Sequence, residues 1–330
     1  MRRSMKAIQI RSIGGPEVLE AADLPVPVPQ AGEVRVRALA IGVGKPDVLL
    51  RTGVYRWMPP LPAVPGAEMS GRVEAVGAGV EGIVPGQYVL VYSLGGRCYA
   101  EQACVPATAV TPLPDSIDPV DAVSIPNYQV AHALLTEAAR GQRSHTVYIN
   151  GAAGGIGCAV IQLCRRAGIR VIAGAGSKAK CAFASRVGAS DTVDYGSGDP
   201  VAQVLELTGG AGVDLVLDHL VGPDFTAGLK MLAPFGMIVS FNMLRGWPDK
   251  DLFRELRANL ERSPAVRCFT MHSYDRDPAS RRRLMAETVG LFAAKEVSPP
   301  VYRRLPLAQA RQAHEMLDAR EVLGKLVLEP

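Results

Sequence analysis

The 330-residue sequence contains no apolar run long enough to cross a membrane. Its best stretch, Tyr148 to Cys164, is broken by Asn150, Gln162 and several glycines, well short of the about 20 continuous apolar residues a span requires. The basic start, Met1-Arg2-Arg3-Ser4-Met5-Lys6, is followed by Gln9 and Arg11 instead of a secretory apolar segment, so a cytoplasmic protein is expected. The six cysteines (Cys98, Cys104, Cys158, Cys164, Cys181 and Cys268) include no CxxC pair and are expected to be reduced and structural. The five histidines (His132, His145, His219, His272 and His314) lack metal-ligand spacing. Charge excess is also missing: Lys and Arg total 36 against 32 Asp and Glu, a net +4. That balance excludes a disordered chain or a nucleic-acid coat. The basic run Arg281-Arg282-Arg283 has Asp275, Asp277 and Glu287 close by and reads as a solvated helix face.

What is present is a large apolar fraction, 48%, in a chain whose length suits two domains. From Lys6 to about Leu113 short alternating strands (Lys6–Arg11, Glu33–Ile41, Arg72–Val76, Gln87–Tyr92 and Tyr99–Val105) are punctuated by Gly and Pro, which predicts an antiparallel, barrel-like module. From about Asp118 to Asn242 continuously apolar strands (Thr146–Ile149, Arg170–Ala173, Val213–Leu217 and Met237–Phe241) alternate with helical stretches (Ile156–Ala167, Lys178–Val187, Val201–Leu207 and Phe225–Leu232). That rhythm predicts a doubly wound parallel α/β sheet of the Rossmann type. Beyond Trp247 a helix near Leu252–Leu260, a strand near Val266–Phe269, two charged helices and the strand Lys325–Leu328 are expected. The expected boundaries are 1–117 for the first module, 118–263 for the α/β domain, and 264–330 for a return to the first.

The strongest chemical signal is Gly151-Ala152-Ala153-Gly154-Gly155-Ile156-Gly157, placed directly after a strand and directly before an apolar helix. Glycines there let the backbone approach a pyrophosphate, and the open N–H groups of a helix start, aided by the dipole, hold its negative charge. A site selective for NAD places an Asp or Glu about 20 residues after this turn to bond the ribose 2′-hydroxyl. Here Ala173-Gly174-Ala175-Gly176-Ser177-Lys178-Ala179-Lys180 supplies no acid, only a hydroxyl and two ammonium groups. Each charge-assisted bond to a phosphate contributes about 1.5–3 kcal/mol, so the segment points to NADPH.

With these residues goes a series of motifs along nearly the whole chain. They are Gly14-Gly15-Pro16-Glu17-Val18-Leu19, Pro65-Gly66-Ala67-Glu68 with Gly71 and Val73, Pro85-Gly86-Gln87-Tyr88-Val89, and Tyr99-Ala100-Glu101. Gly188-Ala189 leading to Asp194-Tyr195, Asp214 to Asp218, and Gly324-Lys325-Leu326-Val327-Leu328 complete the series. In this order the sequence resembles the medium-chain dehydrogenase/reductase superfamily, in its zinc-free, zeta-crystallin-like quinone oxidoreductase branch. The resemblance implies a GroES-like catalytic domain in two chain segments around a Rossmann domain, and a homodimer. It implies cofactor contacts at Ser177, Lys180 and Tyr195 around the adenosine phosphate, at Gly151, Ala153, Gly154, Gly155, Ile156 and Gly157 in the turn, and at Phe241, Asn242 and Lys325.

Zinc-dependent relatives carry Cys and His where this chain looks to have Gly44 and Ala67, side chains that cannot ligate metal. Without that Lewis acid the expected reaction is hydride addition from NADPH to a quinone or other α,β-unsaturated carbonyl. Tyr55 is the candidate proton donor or an aromatic lining residue; Lys45 is a candidate for oxyanion stabilisation or a solvated strand-end lysine. Branch members commonly have Asn-Phe-x-Asp where Gly44-Lys45-Pro46-Asp47 stands, and a Thr where Val130 stands, so the polar inventory is altered. The alternatives are an enoyl-thioester reductase of a biosynthetic pathway and a non-catalytic NADPH-binding structural or RNA-binding protein.

Overall fold

The computed structural model describes residues 4–55, 58–142 and 145–330. They form two compact units, one from residues 1–126 and 292–330, the other from 127–291.

In the first unit, alternation of buried and exposed residues produces β1 (Ser4–Gln9) and the long β3 (Glu33–Val43), and between them the more exposed β2 (Glu20–Pro25) pairs antiparallel with β1. A short helix α1 (Lys45–Arg51) starts at Gly44, with Pro46 in its first turn and Asp47 returning a side-chain bond to the cap. Then come β4 (Glu68–Val76), β5 (Tyr88–Tyr92), β6 (Gln102–Pro106), β7 (Val110–Pro112) and the single-turn α2 (Pro119–Ala122).

The chain next forms α3 (Ile125–Ala133), β8 (Thr146–Ile149), α4 (Gly155–Arg166), β9 (Arg170–Ala175), α5 (Lys178–Val187), β10 (Asp191–Asp194), α6 (Pro200–Leu207) and β11 (Val213–Asp218). The second unit ends with β12 (Leu232–Ser240), α7 (Leu252–Ala258), β13 (Ala265–Cys268) and α8 (Pro278–Ala293). The return segment adds β14 (Val301–Pro306), α9 (Ala310–Asp318) and β15 (Lys325–Glu329) to the first unit.

The first unit is built on a sheet ordered β14-β15-β3-β4-β5-β7, with β6 also paired to β3, and β1 paired to β2 beside it. Its pairings are antiparallel except β14 with β15. The return is obligatory because β15 lies against β3, where Leu326 and Leu328 complete a core with Ile41, Met69, Val89 and Tyr99.

The second unit is a six-stranded parallel sheet ordered β10-β9-β8-β11-β12-β13. Its inner strands β8, β9 and β11 are buried on both faces, as their continuous apolar runs require, and Ile172, Val193, Val216, Leu229 and Ile238 share one core. α4 buries Cys158, Val160, Ile161, Leu163 and Cys164 and ends on Arg165 and Arg166, cations suited to a helix C-terminus.

Some elements differ from the sequence pattern. β13 and α8 belong to the α/β unit, because β13 extends its sheet beside β12. α2 packs on β3 and β4 of the strand-rich unit. The stretch Phe225–Met231 winds as a 3₁₀ helix, not an α-helix; its C-terminal bond runs from Leu232 N to Leu229 O, with Gly228 in its interior. β10 has a single buried residue, Val193, and so no apolar run to mark it.

Strand order reverses between β8 and β11. In open α/β sheets ligands bind beyond the carboxyl ends of the strands at such a switch point.

Candidate dinucleotide site and a buried carboxylate cluster

The glycine-rich segment lies at the carboxyl end of β8, on one side of the switch point. Gly151 turns the chain with φ +60°, and Ala152 N donates to Gly174 O at 2.9 Å, tying the turn to β9. Gly154 is the N-cap of α4 without a side-chain cap, and the first helical bond is Cys158 N to Gly154 O at 2.9 Å. The amides of Gly155, Ile156 and Gly157 are therefore the donors of the first turn that the helix itself does not use. Gly157 has a packing reason: a Cβ there would stand 2.6 Å from the Ala152 Cα and carbonyl oxygen. At Gly155 a Cβ would run into the side-chain amide of Asn127. Ala153 and Ile156 complete the turn, the first buried and the second half-buried.

At the end of β9, Ser177 caps α5, its Oγ accepting from Lys180 N at 3.4 Å. Tyr195 follows β10, its N donating to Ala175 O at 3.0 Å, and its ring lies where a Cβ on Gly176 would touch it at 3.1 Å. Ser177, Lys180 and Tyr195 thus gather at neighbouring strand ends. The adjacent carboxylate, Asp194, accepts from Gly196 N at 3.0 Å.

Phe241 follows β12, its N donating to Asp218 O at 3.0 Å; exposed Asn242 accepts with its side chain from Met243 N at 2.9 Å. Between β8 and β11 lies a polar knot that the sequence pattern did not single out. Asp218 Oδ1 accepts from Asn150 Nδ2 at 2.5 Å, Leu220 N at 2.7 Å and Val221 N at 3.0 Å.

In the strand-rich unit a second group of polar side chains is buried. Asp47 accepts from Gly44 N at 2.8 Å, Ala67 N at 2.9 Å and Tyr99 Oη at 3.2 Å. Tyr99 Oη in turn lies 3.0 Å from His314 Nε2. Burial first, then the nearby Glu68 carboxylate, pushes Asp47 up to about 7. Burial, with Arg51 beside it, lowers His314 to about 3, so the imidazole is neutral. Lys325, expected at the cofactor, has its buried ammonium on Glu68.

Lys45, the first residue of α1, is exposed. Tyr55 is half-buried against the unit's core, and burial followed by Asp47 raises its phenol to about 12, so it is protonated at neutral pH. The thiols of Cys158 and Cys164 are pushed up to about 12 by burial, which removes them as nucleophiles.

The GroES-like module of β-strands and the Rossmann-type sheet with its glycine-rich turn together define a medium-chain dehydrogenase/reductase. Comparison with known proteins agrees. Residues 30–115 match the alcohol dehydrogenase GroES-like domain and residues 155–278 the family described as zinc-binding dehydrogenase. A quinone oxidoreductase of Pseudomonas aeruginosa is 32% identical over 98% of this chain and 99% of its own. The quinone oxidoreductase of Escherichia coli, solved in complex with NADPH, is similar with a TM-score of 0.89 and 27% identity, covering 98% of this chain and 100% of that one. A mycobacterial protein, also solved with NADPH, gives a TM-score of 0.88 and 33% identity over 99% of this chain and 100% of its own. The chain belongs to the quinone oxidoreductases, the zeta-crystallin-like branch of that superfamily of oxidoreductases.

The zinc in one family description does not fit these residues. Gly44 and Ala67 offer no ligand atom, and a Cβ on Gly44 would stand 3.9 Å from the Lys325 ammonium. The carboxylates nearby are already engaged, Asp47 by three donors and Glu68 by Lys325. Among the described residues no three His, Cys, Asp or Glu side chains are grouped to hold a metal. No helix among them is long and apolar enough to cross a membrane.

Proposed function

We propose that this chain is an NADPH-dependent, zinc-independent oxidoreductase that transfers hydride to a quinone or another α,β-unsaturated carbonyl, and that it works as a homodimer. The observation that carries the cofactor choice is the gathering of Ser177, Lys180 and Tyr195 where β9 ends without a carboxylate of its own. The Ser177 hydroxyl and Lys180 ammonium suit a 2′-phosphate, which an acid in their place would repel. The open amides of Gly155, Ile156 and Gly157 fit the pyrophosphate. Two solved relatives bound to NADPH support the same reading.

The bound dinucleotide supplies the hydride. This chain's residues fix its orientation: the α4 N-terminus holds negative charge, and the α5 cap with Lys180 selects the phosphorylated ribose. An acceptor with an extended π-system spreads the developing negative charge and has no need of a metal to polarise it. The Tyr55 phenol, kept protonated at neutral pH, is our candidate proton donor to that oxyanion, and Lys45 our candidate cation beside it.

The test is NADPH oxidation followed spectroscopically with ortho-quinones, 2-alkenals and crotonyl thioesters, before and after dialysis against a chelator. Turnover of quinones or alkenals that survives chelation is expected. Turnover of the thioester alone would replace the acceptor class with enoyl thioesters. Binding of NADPH without any turnover would favour a non-catalytic binding protein, and loss of activity on chelation would overturn the metal-free chemistry.

A further inference from the structure

His219 lies immediately after β11, directly across the switch point from the glycine-rich turn. Its backbone is pinned to that position: His219 N donates to Asn150 Oδ1 at 3.2 Å, and His219 O accepts from Leu244 N at 3.3 Å. The imidazole lies over Gly151, where a Cβ would collide with its Cε1–Nε2 edge. Its other neighbour is the Phe241 ring, 5.7 Å away between centroids and inclined at 61°. Neither ring nitrogen makes a hydrogen bond to described residues of the α/β unit. Burial lowers the basicity of the imidazole against the opposing pull of Asp218, which leaves a neutral ring with one donor and one acceptor nitrogen.

The proposed cofactor site assigns the adenosine phosphate to the β9 end and the pyrophosphate to the start of α4. A dinucleotide crossing the crevice must then continue from β8 over the end of β11. On that path stand His219 and Phe241, one polar and uncommitted, the other apolar. A ribose hydroxyl both donates and accepts, which matches a neutral imidazole; pyrophosphate oxygens only accept.

We propose that His219 is a positioning residue that hydrogen-bonds a ribose hydroxyl on the nicotinamide side of NADPH, with its ring held in place by Gly151 and Phe241. This rests on the cofactor reading above. It also gives Gly151 a second constraint besides its positive φ, since any side chain there would displace the imidazole.

Calorimetric titration with two ligands separates the possibilities: NADPH, and adenosine 2′,5′-bisphosphate, which lacks the nicotinamide riboside. His219→Phe, which keeps a ring and removes both nitrogens, is expected to weaken NADPH about tenfold while leaving the bisphosphate within about twofold. His219→Gln, whose amide replaces the donor and acceptor, is expected to recover most of that loss. Unchanged NADPH affinity in both variants, equal losses for both ligands, or a glutamine variant as weak as the phenylalanine one would overturn the assignment. Should His219→Phe fail to fold, His219→Ala with the same pair of ligands decides by the same criterion. A wild-type protein that binds neither ligand would instead remove the NADPH reading on which the assignment depends.

Discussion

Lys180 is the residue proposed above to select, by a single charge, between two cofactors that differ only by a phosphate. Its backbone N already serves the Ser177 cap at 3.4 Å, so the side chain begins from a fixed point on the first turn of α5. A charge-assisted bond to the 2′-phosphate contributes about 1.5–3 kcal/mol, whereas NADH offers no phosphate there. Lys180→Ala is therefore expected to raise the KM for NADPH roughly tenfold and to leave that for NADH nearly unchanged. Equal losses with both cofactors, measured by steady-state kinetics, would remove the phosphate assignment.

Asp47 provides a residue-scale prediction in the other unit. Its carboxyl is raised from 3.8 to about 7 in the folded chain, chiefly by burial and then by Glu68. Between those values the folded protein holds a proton that the unfolded chain has released. Unfolding then releases a proton, and stability must fall as pH rises from about 4 to about 7, by up to ~4 kcal/mol, and level off above. Asp47→Asn is expected to flatten this slope. It also costs stability at low pH, because one amide oxygen cannot serve Gly44 N, Ala67 N and Tyr99 Oη together. Denaturant titrations at pH 5 and pH 8 on both proteins check it, and the same slope in the variant would show that another group titrates.

The two sites also differ in what the sequence revealed. The placement of Ser177 and Lys180 at the start of α5 was legible because a strand, a turn and a helix follow one another within a few residues. Asp47, Tyr99 and His314 were not, since they meet only after β15 folds back on β3 and α9 covers the module. His219 and Asn150 are likewise far apart in sequence and come together through β8–β11 pairing, for which a single strand pattern holds no register information.

Among elements, α4 and its turn show why the glycine spacing matters beyond access for a ligand. Gly157 permits the first turn of α4 to rest on Ala152, and a Cβ 2.6 Å from that backbone has no flexible side chain to push aside. Gly157→Ala must shift either the helix or the turn, and the turn is tied to β9 through Ala152 N and Gly174 O. The expected result is a loss of about 1–3 kcal/mol in stability, typical of overpacking. NADPH binding should weaken more than that of adenosine 2′,5′-bisphosphate, because the displaced amides are those assigned to the pyrophosphate. Calorimetry and thermal melts on the variant read both effects; unchanged affinity would mean that the α4 amides do not hold the ligand. α4 and α5 were readable from periodicity and caps. β10 and the 3₁₀ turn at Phe225–Met231 were not, the one too short and too polar, the other closed by i→i+3 bonds such as Ala227 N to Asp224 O and Leu232 N to Leu229 O that the apolar pattern does not distinguish from α-helical ones.

At the scale of the whole molecule, the parallel sheet leaves two edges to be managed. The β10 edge ends in Asp191 and Asp194, charges that discourage pairing. The β13 edge, Ala265 to Cys268, carries no acid, and α7, which leads into it, leaves Phe253 71% exposed, with Leu260 beyond it at 53%. A four-residue edge whose one charge is Arg267, beside exposed apolar side chains, suits a second copy related by a two-fold axis, because an edge strand set antiparallel to itself is self-complementary. The expected mass in solution is then twice 35.0 kDa. A charge placed in the apolar flank should oppose that association without touching the sheet core, since Phe253 contributes nothing to the buried cluster. Phe253→Glu is accordingly expected to shift the protein toward the 35.0 kDa species in sedimentation equilibrium, with its melting temperature at low concentration close to that of the parent. A parent protein that sediments as a single chain at all concentrations would show that the β13 edge is left open to solvent.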